Sequence, residues 1–147
     1  MKLIEPINIP VIIAHFSGTP NYLKFALESA ANFNNKVVLI GDDTNKKNKK
    51  NHWDATLVKL DKFQDFQKYY FQMSDYSKNY EMAFWKRMFV LENWMKENDY
   101  KNIFLLDSDV MTFANYSAEV YPILTDNCIA ALMKPKNQEN FMWASSC

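Results

Sequence analysis

Glycine is scarce in this chain: its 147 residues include only Gly18 and Gly41, far apart. A dinucleotide-binding fingerprint needs three clustered glycines, and a P-loop needs a glycine-rich turn ahead of Lys-Ser/Thr, so neither is present. Cysteine is equally rare. Cys128 and Cys147 make neither a disulfide framework nor a metal cluster, which points to a reducing, cytoplasmic setting. The two histidines, His15 and His52, stand apart, so a Ser-His-Asp triad has little to draw on. No Gly-x-Ser-x-Gly elbow and no His-Glu-x-x-His zinc motif occurs. Charge of one sign is missing as well: 17 basic residues balance 17 acidic ones, for a formal net charge of zero. A nucleic-acid partner, which calls for a basic surplus, is therefore not expected. No apolar run approaches bilayer-spanning length, and Glu5, Pro6 and Pro10 break the only N-terminal candidate for a signal peptide.

What is present is an alternation of short apolar runs with longer amphipathic stretches, in a length suited to one domain over 1–147. Val11–Phe16, Val37–Ile40, Ala55–Leu60, Asn102–Leu106 and Cys128–Met133 read as strands. Thr19 and Pro20 form a helix start, with a hydroxyl N-cap and proline at the first helical position, and the helix runs to about Asn32. Leu23, Ala26, Leu27 and Ala30 share its apolar face. Asn45–Asn51 reads as a solvated, lysine-rich connection. Helical spacing continues over Phe63–Met73, over Glu81–Asn98 and, more weakly, over Ser117–Leu124. Strands alternating with helices imply an α/β fold with a mostly parallel sheet. Such sheets bind ligands outside the carboxyl ends of their strands, so polar residues just after strands matter most.

Asp107-Ser108-Asp109 is the sharpest of these, lying between Ile103–Leu106 and Val110–Phe113. In extended backbone its two carboxylates would point the same way and repel. A hard divalent cation, Mg²⁺ or Mn²⁺, would satisfy both and leave positions for phosphate oxygens. The plainer alternative is a strand-ending turn in which aspartate caps backbone N–H groups. Arg87, the chain's single arginine, falls on the flank of the stripe Phe84, Met88, Leu91 and Met95, whereas Lys86 lies on the polar side. A guanidinium near a core needs an anion: a phosphate, or an internal carboxylate such as Asp107 or Asp109. Asp42 and Asp43 are placed to bond a ribose or base, or to form ordinary turn chemistry. His15 and Phe16 end the first strand, where a lone histidine is more often a hydrogen-bonded structural residue than a ligand. Phe66, Tyr69, Tyr70, Phe71, Tyr76 and Tyr80 read as core at helical spacing, with stacking on sugar rings as the alternative.

Together VIIAHF, VVLIGDD, FWKRMFVLENWMKENDYKN and IFLLDSDVMTF resemble the N-terminal part of a GT-A-type glycosyltransferase. The resemblance implies a Rossmann-like three-layer sandwich and a UDP- or GDP-sugar donor whose diphosphate is held through Mn²⁺ or Mg²⁺. It implies Asp109 as direct metal ligand, with Asp107 on the metal shell or the ribose and Ser108 also among the donor-binding residues. His15, Phe16, Asp42 and Asp43 would hold the nucleoside and Arg87 the diphosphate, so Arg87→Ala should weaken diphosphate binding more than Lys86→Ala. A glycan or other hydroxyl compound would be the acceptor. The stretch after the motif, Ala114–Cys147, is short for an acceptor side and contains no histidine, so the chain is expected to be the donor-binding part of a longer enzyme. Two alternatives stand: a non-catalytic nucleotide- and metal-binding module, and a haloacid-dehalogenase-like phosphohydrolase using Asp107 as nucleophile.

Overall fold

A computed structural model of the chain describes residues 8–16, 18–48, 54–57, 61–72 and 74–123. Four strands form one all-parallel sheet: β1 (Val11–Ala14), β2 (Val37–Gly41), β3 (Asp54–Leu57) and β4 (Phe104–Leu106), in the order β3-β2-β1-β4. Three α-helices accompany them: α1 (Asn21–Phe33), α2 (Asp61–Tyr69) and α3 (Lys78–Glu97). The expected α/β class and parallel sheet are thus present.

The apolar runs become strands because they are buried on both faces. Side chains alternate, so Val11, Ile13, Val37 and Leu39 meet Leu23, Ala26, Leu27 and Ala30 of α1 on one side. Ile12, Ala14, Val38 and Ile40 meet Val90, Leu91 and Trp94 of α3 on the other. Each of these branched side chains contributes about 1.5–3 kcal/mol when fully withdrawn from water. The sheet therefore separates α1 from α3, giving three layers. β4 is packed less tightly: Phe104, Leu105 and Leu106 are only half-buried.

Several boundaries differ from the sequence expectation. β1 stops at Ala14, although the His15 amide still donates to the Ile40 carbonyl at 2.9 Å. Pro20, not Thr19, is the N-cap of α1, with no side-chain capping bond. The Thr19 hydroxyl instead donates to the Thr44 carbonyl. Helix α2 ends at Tyr69, and α3 begins at Lys78, where the Ser77 side chain accepts from the Tyr80 amide. The stretch Val110–Phe113 is not a strand: Thr112 is buried, but Val110, Met111 and Phe113 face outward. Its Thr112 amide donates to buried Ser29 Oγ on α1. Beyond it, Tyr116–Val120 makes a π-helical turn and Tyr121–Ile123 a 3-10 turn where an α-helix was expected. The side-chain amide of Asn34, just after α1, holds this segment by donating to the Ala114 carbonyl and accepting from the Tyr116 amide. His52, the proposed strand Cys128–Met133, Cys147 and the FMWASSC segment lie outside the described residues.

Candidate functional site

The strand order reverses beside β1. β2 and β3 extend the sheet on one side, and β4 is laid against the other. In open parallel sheets the loops leaving such a point part to form a crevice, which is where ligands settle. His15 and Phe16 leave β1 there, and Asp107, Ser108 and Asp109 leave β4.

The two loops are joined. His15 Nδ1 and Ser108 Oγ share a hydrogen bond of 2.9 Å, the ring tautomer deciding which of them donates. Tyr22 on the first turn of α1 meets the other part of the His15 ring edge-on, centroids 6.1 Å apart. The Asp-x-Asp backbone is not extended. The Val110 amide donates to the Asp107 carbonyl at 3.2 Å, closing a turn, so the two carboxylates do not share one edge of a strand. The backbone therefore makes the turn of the plainer alternative, closed by the Asp107 carbonyl, while the Asp107 carboxylate is engaged by a side chain of α3.

Helix α3 supplies the cations. Arg87 lies on the same face as buried Val90, Leu91 and Trp94, because positions three, four and seven apart align along a helix. That places its side chain inward, 14% exposed, where Nη1 donates to Asp107 Oδ1 at 2.5 Å. Its Nε is buried and has no hydrogen-bond partner among the described residues. Of the two anions the sequence offered, the internal carboxylate is engaged. Lys86 is also at this edge: its Nζ stands 4.6 Å over the Phe16 ring, a cation–π contact, and among the described residues no ion pair to Lys86 is seen. Sequence reasoning passed over Lys86 because its helix face reads polar.

Asp42 and Asp43 follow β2 as expected, but a clamp that the sequence did not reveal organises them. Asn45, read as part of a solvated loop, is 1% exposed. Its amide oxygen accepts from the Asp42 amide at 2.9 Å and its nitrogen donates to the Gly18 carbonyl. Asp42 Oδ1 accepts from the Thr44 amide at 3.0 Å and from the Thr44 hydroxyl, an Asx-type turn. Thr44 Oγ1 in turn accepts from the Gly18 amide at 2.6 Å. The loops after β1 and β2 are thus locked together, and Gly18 takes φ +118°, a conformation suited to glycine. Asp43 is exposed at the start of a 3-10 turn, Asp43–Asn48.

Burial holds His15 below its ordinary value of 6.5, and the Asp42 carboxylate offsets part of that. The folded chain therefore binds this proton less readily than the unfolded chain. The stability contribution is present above 6.5 and lost as pH falls through that value towards the folded pKa. Urea midpoints should drop on moving from neutral to mildly acidic buffer, and less steeply in His15→Asn. Equal slopes would contradict the assignment.

A hard divalent cation fits this edge only with help from a ligand. Asp107 and Asp109 supply carboxylates, Asp107 already holds Arg87, and Asp109 is exposed with no ion pair among the described residues. No group of three or more His, Cys, Asp or Glu side chains arranged for a metal occurs among the described residues. Two carboxylates plus phosphate oxygens and water nevertheless match the way magnesium-type ions are held beside nucleotides. A shallow depression lined by Glu92, Met95, Lys96, Asp99 and Tyr100 lies at the other end of α3, away from these residues. No protein-family signature, curated protein or solved structure matches the chain. Among the described residues no helix is long and apolar enough to cross a membrane.

Proposed function

We propose that this chain carries the donor-binding site of a metal-assisted glycosyltransferase with a GT-A-like, Rossmann-type sheet. The observation that carries the proposal is the position of Asp107-Ser108-Asp109. The motif sits at the point of strand-order reversal, tied to β1 by His15 and to α3 by Arg87. In this reading the nucleoside of a UDP- or GDP-sugar lies along the locked loops, beside Phe16, Asp42 and Asp43. Its diphosphate faces Lys86 and the Asp107–Asp109 turn. Asp109 and Asp107 would hold Mn²⁺ or Mg²⁺, which when bound neutralises charge growing on the departing nucleoside diphosphate. Arg87 fixes Asp107, and Lys86 adds positive charge at the same edge. The acceptor is a hydroxyl compound, a glycan in the first instance. Cytoplasmic localisation belongs to the same proposal, on the scarcity of cysteine alone.

The pairing of Asp107 with Arg87 suits a carboxylate that holds a charged ligand. It does not favour one that must attack phosphorus, so the phosphohydrolase alternative gains nothing from the geometry.

Titration calorimetry with UDP and GDP, with and without Mn²⁺, tests the proposal. Metal-dependent binding is expected for at least one nucleotide, and Asp109→Asn should abolish it. Binding by neither nucleotide would sink the reading. Binding without hydrolysis of any UDP- or GDP-sugar would favour the non-catalytic module.

A further inference from the structure

The aromatic run between α2 and α3 is not the core element its spacing suggested. Phe66 does turn inward, packing on Trp85 and Phe89 of α3 with ring centroids 5.6 and 5.1 Å apart. Four other rings face out: Tyr69 is 87% exposed, Phe71 82%, Tyr76 65% and Tyr80 64%. Large exposed apolar area concentrated in one stretch marks an interaction surface. The backbone that carries Tyr76 is also held in place. Gln72 Nε2 donates to the Ser74 and Tyr76 carbonyls, and Glu81 accepts from the Ser74 amide at 2.9 Å and from the Ser74 hydroxyl. Tyr76 and Tyr80 then form a two-ring platform, centroids 5.1 Å apart and planes 35° apart.

Its position relates it to the crevice. The C-terminal end of α3 lies by the amino edge of the sheet, where Tyr100 Oη accepts from Lys36 Nζ just before β2. Arg87 reaches the carboxyl edge at Asp107. Helix α3 therefore runs against β4, and its first turns project beyond the edge that carries Asp107-Ser108-Asp109. Tyr80 precedes Arg87 by about two turns, roughly 10 Å of helix, which is the span of one or two sugar rings.

The chemistry of the surface selects among occupants. The large exposed apolar side chains among the described residues of this stretch are all aromatic. Three of the four rings carry a phenolic hydroxyl. Lys68 and Lys78 stand against Asp65, Asp75 and Glu81, Lys68 being paired with Asp65, so the charges of this stretch are close to balance and make no cationic patch for nucleic acid, acidic lipid or other polyanions. A neutral molecule with C–H faces for the electron-rich rings and hydroxyls for the tyrosine edges fits instead. We infer that Tyr69, Phe71, Tyr76 and Tyr80 form a binding face for a neutral saccharide, which serves as the acceptor side of the adjacent donor crevice. The acceptor role, though not the saccharide binding, rests on the glycosyltransferase reading.

Native affinity electrophoresis through gels containing soluble neutral glucans, mannans and galactans tests it. At least one polysaccharide should retard the chain. Tyr76→Ala/Tyr80→Ala should weaken that interaction about tenfold or more, as should Tyr69→Ala/Phe71→Ala, the rings being too exposed to matter to the fold. Circular dichroism confirms that the variants fold. Retardation by none of the polysaccharides, or retardation that both variants keep, overturns the inference. So does a concentration-dependent dimer, seen by sedimentation, that the variants abolish, because the face would then serve self-association. Nucleotide calorimetry is read separately. Saccharide binding without nucleotide binding would remove the donor reading and leave the saccharide face standing.

Discussion

Gly41→Ala is expected to cost the fold about 2–4 kcal/mol and to loosen the loops after β1 and β2 together. A Cβ at this position would stand 2.2 Å from Asn45 Oδ1 and 2.9 Å from its Cγ. A flexible surface side chain would swing away cheaply, but Asn45 cannot. It is 1% exposed, and its amide bonds both the Asp42 amide and the Gly18 carbonyl. Displacing it breaks those bonds and leaves backbone groups without partners in a poorly hydrated place. Urea unfolding of the single variant, of Asn45→Gly and of the double variant provides the check. The double variant should lose clearly less than the sum of the singles, since the clash vanishes with the side chain. Additive losses would mean that the contact is not the cause.

Arg87→Ala should destabilise the chain by about 2–3 kcal/mol, near the lower end for breaking a buried pair because Asp107 retains some water. The side chains are 14% and 29% exposed, so removing the guanidinium strands a carboxylate that water reaches only in part. Arg87→Ala/Asp107→Asn should recover part of the loss. Lys86→Ala, which breaks only a contact over Phe16, should change stability by no more than about 0.5 kcal/mol. Nucleotide titration separates the pair along a second axis. Arg87→Ala should weaken metal-dependent UDP or GDP binding more than Lys86→Ala, since it both removes charge and frees Asp107 from its position. Equal losses would show that Arg87 does nothing for Asp107 beyond neutralising it.

Different parts of this structure were legible in the sequence to different degrees, for physical reasons. The strands VIIA and VVLI announce themselves because burial on both faces demands unbroken apolar side chains, and FLL, though only half-buried, shares the pattern because its side chains pack on both of those cores. Arg87 could be placed near the core by helical spacing, and its choice of Asp107 was one of two readings open at that stage. Asn45 was illegible: its neighbours Asp43, Thr44, Lys46 and Lys47 read as solvent-loving, and the carbonyl that draws its amide inward belongs to a residue 27 positions earlier. The Asp-x-Asp turn was masked by the apolar Val110–Phe113, which mimics a strand although three of its four side chains face water. The aromatic run failed for the opposite reason. Helical periodicity identifies a face but not what covers it, and only Phe66, Tyr70 and their neighbours on α3 found cover.

The parallel pairing of β1 with both β2 and β4 carries a consequence in time. Val11 meets Val37 across one short crossover, whereas β4 returns to β1 only after the α2–α3 excursion. His15 and Ser108 are 93 residues apart, and closing a loop of that size costs about 4 kcal/mol of chain entropy before any contact offsets it. All the residues of β1, β2 and the Asn45 clamp are synthesised well before β4, although the face of β1 and β2 that packs on Val90, Leu91 and Trp94 waits for α3. The edge where His15 meets Ser108 forms only once β4 docks on β1. The loops after β1 and β2 can thus be joined to each other before the Asp107-Ser108-Asp109 edge is added beside them.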